Sequence, residues 1–517
     1  MMKKSKISKK FTIFSVCFFL FVFMTFTVGA AEKPQYGGTL RLITHIDGEN
    51  IGYPPRIRRP NSQYQAFAAV ETLVRMDKAG RIVPWLATSL KGDSMAATYT
   101  LTLRKGVKFH DGTDFNAEAV KWNLDRHIHH KSGGSAAIKS VDIIDDYAVR
   151  VNLKKWDSTL AANMSQVLGM IISPAAYKKN GEEWCRANPV GTGPFTFVSW
   201  EKDKKMVFKK APNYWQKGKP YLDRIEWYPI IDSLTRMMSF KSGEADMVFR
   251  LHEKDLKDIE KEGFIVSRGP LGQGAVGIVP NSRNPEEPWA DVRVRRAAAY
   301  AIDNKAIVKT IYFGQAIVTN QFAAPGAYGY NPNVVGYPYN PAKAKKLLKE
   351  AGYAKGFKTK LNATKSYVSF GTTIQAYLGA VGIQVDLQPQ QTAAFIKECC
   401  RGGGWKGLTR GVTTSRPDVA SAIAVAFSGG DRYTKDMLAP DDYVQAINNA
   451  ISAPDFETKK KWVHKVQKMM IDEYCLNIPI VARFNTVASN SNVHDHNFFT
   501  VASDTNWTPE DVWMSKK

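Results

Sequence analysis

Residues 409–421 read TRGVTTSRPDVAS, with two arginines, several hydroxyls and one acid behind a proline. Guanidinium forks match the geometry of carboxylates and phosphates, so such a stretch can seat an anion. It can also be an ordinary solvated turn. Other residue types invite metal or acid–base chemistry. His127, His129 and His130 crowd into RHIHHKSGG, which suits a borderline metal, but the stretch holds no Cys or acid to complete a site. VHDHN repeats the theme with His494, Asp495 and His496. FHDG sets His110 beside Asp111, yet no nucleophile adjoins them, and a turn-stabilising Asp beside a polar His is the better reading. Gly272, Gly274 and Gly277 have dinucleotide-loop spacing in GQGAVG. That loop must open a helix; here IVPNSRNPEEP follows, extended and broken by Pro. A Gly-rich strand that lets a ligand or another backbone approach closely fits better. There is no Walker loop, no Gly-x-Ser-x-Gly elbow and no C-x-x-C pair, so neither a cofactor nor a metal is expected, and a hydrolase of ordinary design is disfavoured.

The elements that must position these residues belong to a long chain. Its 517 residues exceed single-domain size, so two or three packed lobes are expected. With 44% hydrophobic and 23% charged residues it is an ordinary globular composition. The first thirty residues have the anatomy of a secretory signal: basic MMKKSKISKK, apolar FTIFSVCFFLFVFMTFTV, then small residues before a cut between Ala30 and Ala31. A retained membrane anchor is the alternative. A lipoprotein anchor fits poorly, because Cys17 lies inside the apolar run behind Val16. No other stretch is long enough to span a bilayer, so a soluble protein outside the cytoplasm is expected. Removing the five signal lysines takes the net charge from +23 to +18. That charge is spread along the chain and is dense only in PPRIRRP (54–60) and RVRR (293–296). Without an aromatic-studded repeat or a basic arm, nucleic acid is not an expected partner. Cys185, Cys399, Cys400 and Cys475 allow three disulfide connectivities in an oxidising compartment, and their spacing does not choose among them.

Periodicity predicts strands at LRLITHI, DDYAVRVNL and LDRIEWYPII, and a hairpin in PFTFVSWEKDKKMVFKK. It predicts a helix after Asn116, one long amphipathic helical stretch in DVRVRRAAAYAIDNKAIVKTIY, and a short helix in NPAKAKKLLKEAGY. Strands and helices alternate on both sides of position 270, which points to an α/β fold of two lobes with connecting strands.

Several segments, in order, resemble the bacterial extracellular solute-binding proteins of family 5, which serve ABC importers for peptides, nickel complexes and opines. They are YGGTLRL, ETLVRMDKAGRIVPWLATSL, YTLTLRKGVKFHDGTDFNAEAVKWNLDR, NPVGTGPFTFVSWEKDKKMVFKKAPNYW, DVRVRRAAAYAID and NPAKAKKLLKEAGY. The resemblance implies a two-lobed periplasmic-binding-protein fold of type II, like the three-domain cluster C proteins, with hinge strands between lobes. It implies lobe I from 36–58, 190–269 and 485–517, an inserted lobe II at 59–189, and lobe III at 270–484. It implies a monomeric receptor, free in the periplasm, that hands a small-molecule or peptide-like solute to a permease and ATPase complex at the inner membrane. Gly272–Asn281 and IPIVARF (478–484) would be the crossing strands.

In the family's peptide receptors an aspartate before an FSG-like segment pairs with the peptide α-ammonium. Counting back from AVAFSGG, Ser415 takes that place and Val412 stands where a Trp is usual. A buried ammonium without a charge partner is costly, so an ordinary free-N-terminus peptide is not the expected ligand. A carboxylate- or phosphate-bearing or neutral polar solute suits Arg410, Thr413, Thr414, Ser415 and Arg416 better. Asp418 matches a second acid of the turn and reads as structural. His45 and Asp47, with Glu49, leave the first strand at the end where α/β lobes place ligands. Gly274 and Gln391 complete the candidate set. The alternative is that Arg416 lies on the surface and that the anchoring acid is Asp47 or Glu49.

Overall fold

In the computed structural model the described residues are 33–270, 274–411, 416–428, 435–498 and 507–516. Thr39–Thr44 pairs in parallel with Arg224–Pro229 on one side and Met247–Phe249 on the other. Leu40 and Leu42 make one face of this strand apolar, while on the other Arg41 pairs with Asp246 at 3.3 Å and Ile43 is buried. Leu40 and Leu42 enter one core with Trp227 and Phe249, whereas Ile43 enters another with Phe240 and Leu256. The predicted hairpin extends the sheet as Phe195–Glu201 and Lys205–Lys210.

Beyond residue 270 the same logic repeats. Phe357–Thr364 lies parallel to Ile383–Gln390 and to Leu408–Arg410. Helices Val292–Ala301 and Val368–Gly379 cover one core there, and helices Val419–Phe427 and Phe456–Lys468 another. The two halves join in one twelve-stranded sheet through long passages of chain. Ile478–Ser489 runs back across the junction, pairing with Ile265–Pro270 on one side of it and with Val276–Ile278 on the other. A Cβ on Gly277 would lie 2.1 Å from the Ile478 carbonyl oxygen, so the passages approach as closely as they do because a glycine stands there.

A separate four-stranded antiparallel sheet spans Ala87–Asp93, Thr98–Leu103, Ala148–Leu153 and Ile138–Asp145. Its core runs from Leu73 to Ile171. Helix Ala117–His129 packs there, capped as expected by Asn116, whose side chain accepts from the Ala119 amide at 3.0 Å. The flanks of the 59–189 segment, including Tyr64, Phe67 and Met170, enter the core of the first half instead. Buried Glu71 fastens the two together: it accepts from Trp85 Nε1, Tyr214 Oη and Thr192 Oγ1 at 2.8 Å and from Trp215 Nε1 at 2.9 Å.

Two expectations change. The long helical stretch is two helices, Val292–Ala301 and Asn304–Thr310. Asp303 caps the second through the Ala306 amide, and an Asp favours such a terminus over a helix interior. Cys185, Cys399 and Cys475 are buried free thiols, and Cys400 is buried beside Cys399.

Buried histidines set an acid limit. Burial lowers His127 to about 3 and His496 to about 4. In His496 the Nδ1 atom accepts from the Phe498 amide, a bond that protonation removes. Because these folded-state values lie below the ordinary 6.5, the unfolded chain takes up protons first. Stability is therefore full above about pH 6.5 and falls as pH drops towards 4. Urea midpoints measured at pH 7.5, 5.5 and 4.5 are expected to decline in that order.

Candidate functional site

Ile43 pairs in parallel with Val248, two residues before His45 and Arg250 respectively, and the Arg250 charge acts on His45. Arg236, only 5% exposed, reaches up from helix Ser233–Lys241. Its guanidinium donates to the carbonyls of Ile230 (2.9 Å), Ile231 (2.6 Å) and Arg250 (3.0 Å), tying together the ends of two strands. Arg250 itself has φ +53°, an uncommon backbone state for a non-glycine residue. Its amide still donates to Thr486 of the return passage at 3.0 Å. Burial lowers His45 to about 4, helped by Arg250 and Arg236. His45 is thus a neutral group between two cations at pH 7.

Three residues beyond Arg250, Glu253 meets Arg483 of the return passage, with Nη2···Oε1 at 2.5 Å. Arg483 Nη1 also donates to Tyr367 Oη at 3.3 Å, on the other half of the sheet. Burial disfavours the Arg483 charge, but Tyr367 and Glu253 outweigh it and hold the guanidinium above its ordinary value. The Arg410 guanidinium lies 4.3 Å from the centre of the Tyr367 ring and 5.2 Å from that of Phe395. It donates to the Gly411 carbonyl at 2.8 Å, and its Nε is buried without a partner among the described residues. His45, Arg250, Glu253, Arg483, Tyr367 and Arg410 therefore form a line from the strand ends of one half, over the passage, to a strand end of the other.

The expected site residues divide. His45 and Arg410 stand on this line. Arg416 is half-buried just before helix Val419–Phe427. Thr413, Thr414 and Ser415 lie outside the described residues. Asp47 is committed elsewhere: its carboxylate accepts from Trp200 Nε1, the Asp203 amide and the Gly48 amide, each at 2.8 Å. Glu49 pairs on the surface with Arg59 at 3.0 Å. Asp418 is 3% exposed and also committed, accepting from Lys459 Nζ and Tyr328 Oη at 3.0 Å and capping helix Val419–Phe427 through the Ser421 amide. Gly274 has φ +115°, and what approaches it is an aromatic ring: a Cβ would lie 2.0 Å from Phe322. Gln391 is exposed at the start of a short helix. Sequence reasoning missed Arg236, Arg250, Glu253, Tyr367 and Arg483. The one local signal was an arginine directly after the apolar run ADMVF and another inside IPIVARF; which charges share a site depends on register between distant strands.

Among the described residues no group of three His, Cys, Asp or Glu is arranged to hold a metal, and no helix is long and apolar enough to cross a membrane. A depression lined by Arg41, Ile43, Tyr228, Ile230 and Glu244 runs along the first strand towards its end, where Ile230 donates to the Thr44 carbonyl and accepts from Arg236.

A family model described as bacterial extracellular solute-binding proteins, family 5, matches residues 81–434. The glutathione-binding protein GsiB of Pectobacterium atrosepticum is 33% identical over 337 residues, 63% of this chain and 64% of that protein. GsiB of Escherichia coli strain K12 is 34% identical over 340 residues, again 63% and 64%. The chain thus spans about 64% of the length of these relatives. Among solved structures, the periplasmic binding protein DppA of Helicobacter pylori, in complex with the peptide STSA, superposes with a TM-score of 0.75 at 25% identity, covering 93% of this chain and 99% of that one. HbpA2 of Haemophilus parasuis reaches a TM-score of 0.81 at 23% identity, covering 93% and 100%. The fold is thus the two-lobed α/β architecture of these proteins.

Proposed function

The chain belongs to the bacterial extracellular solute-binding proteins of family 5, and from that premise we propose that it is the substrate-binding component of an ABC importer. It captures a small solute between two lobes that close about the crossing passages, and delivers it to a permease and ATPase complex at the inner membrane. Closure desolvates the solute and presents a surface that a membrane partner can read. The observation that carries this reading is Arg483, which stands in a passage and bonds to Glu253 on one side and Tyr367 on the other. The receptor acts as a monomer in the periplasm, exported by its basic-then-apolar first thirty residues. It binds without transforming.

The ligand is not an ordinary free-N-terminus peptide. Ser415 supplies no carboxylate for an ammonium, and Asp47, Asp418 and Glu253 are all bonded to other groups. A second reading, a receptor for glutathione or an oligopeptide, is favoured by the GsiB relatives and by the peptide-bound DppA. Calorimetry with a panel of unmodified dipeptides and oligopeptides separates the two. No heat of binding is expected; micromolar binding favours the second reading.

A further inference from the structure

We propose that the solute carries two acidic groups, one gripped by Arg250 at the strand ends of the first half and the other by Arg410 at the strand end of the second. This rests on the receptor reading above and names its substrate class. Arg250 precedes Glu253 by three residues, Arg410 lies over the Tyr367 ring whose hydroxyl accepts from Arg483, and no acidic side chain among the described residues bonds to either guanidinium. Arg236 is buried and donates through Nη1 and Nη2 to three carbonyl oxygens, one of them Arg250's, while its Nε has no partner among the described residues. The acid nearest to it, Asp232, is exposed at the helix start, where it caps the Thr235 amide. The first station therefore holds two arginines and no committed counter-charge. At the second station Arg410 lies over the Tyr367 and Phe395 rings, and its buried Nε lacks an acceptor among the described residues.

Closing a cleft over such groups without an anion would desolvate like charges together. An acidic group at each station removes that penalty and takes up the unused donors bidentately. Glu253, the one acid on the line, is taken by Arg483, so nothing there serves a ligand cation. The pair also spaces the stations: it occupies the middle of the line, so the solute's two acids must be separated by a linker that passes it.

The test is calorimetry on the purified protein with N-acetylated glutamyl dipeptides that carry two free carboxylates, and with the two monoesters and the diester of each. Diacids are expected to bind at least about 100-fold more tightly than their diesters, because each charge-assisted hydrogen bond that esterification removes is worth about tenfold or more. Arg250→Ala and Arg410→Ala should each cost about 10- to 100-fold towards a diacid, and each should abolish discrimination against one of the two monoesters. Arg250→Lys and Arg410→Gln, checked for unchanged melting, keep the test valid if either alanine variant misfolds. Diesters that bind as well as diacids, diacids that do not bind at all, or diacid affinity unchanged in both variants would each overturn the inference. Scattering separates this from failure of the receptor reading. A neutral or cationic solute that closes the protein while diacids do not removes only the dianion. A protein that no solute closes removes both.

Discussion

Replacing Lys459 by methionine is expected to lower unfolding stability by about 3–5 kcal/mol, because it strands a buried carboxylate without its partner. Lys459 and Asp418 are 7% and 3% exposed, and their charged atoms lie 3.0 Å apart. Without the ammonium, Asp418 keeps only the Tyr328 hydroxyl and the Ser421 amide. The same ammonium donates to the Ser158 carbonyl at 3.0 Å, so one side chain joins the inserted segment to the second half. Trp156 Nε1 and the Ser158 amide add bonds of 2.8 Å to the Ala453 and Ile451 carbonyls nearby. Asp418→Asn keeps the helix cap and needs no cation. Combined with Lys459→Met it should recover most of the loss, giving a coupling energy of at least ~1 kcal/mol in a double-mutant cycle read by urea unfolding. Additive losses would show that the pair is not what holds this junction.

Glu71→Leu is the second large effect, about 3–5 kcal/mol by the same measurement. It orphans two half-buried indole N–H groups, each costing about 1–3 kcal/mol, and leaves the Thr192 and Tyr214 hydroxyls without their acceptor. Burial pushes the Glu71 carboxyl up and the nearby Arg75 guanidinium pulls it back. Arg75 itself keeps Glu510, with Nη1···Oε1 at 2.5 Å. Glu71→Gln should cost less, about 1–3 kcal/mol. Hydroxyls can turn to accept from the new amide, and only the indole on that side is left unpaired. Hydrogen exchange should rise around residues 71–85 and 192–215 in both variants and stay level near Arg410.

Local chemistry made much of the fold legible. The Asn116 cap, the hairpin of 195–210 and the strand at Thr39–Thr44 are written in neighbouring residues, as turn types and period-two patterning. The break at Asp303 was missed because apolar spacing runs on through it, and only the capping carboxylate betrays two helices. The site was less legible for a physical reason. The Arg250 charge acts on His45 from the neighbouring parallel strand, and Arg483 meets Glu253 and Tyr367 because a passage carries it between halves; neither juxtaposition leaves a mark along the chain. Asp47 shows the converse error. Its place at a strand end suggested a ligand, but Trp200 and Asp203 fold back to claim it.

The most direct test of capture by enclosure is small-angle scattering on the protein as purified and again after unfolding, dialysis and refolding have stripped it of small molecules. The stripped protein is expected to have the larger radius of gyration, and returning the dialysed fraction to restore the smaller one with its components chemically unaltered. Identical scattering curves with solute bound, or a returned component that emerges as a different compound, would contradict capture by enclosure.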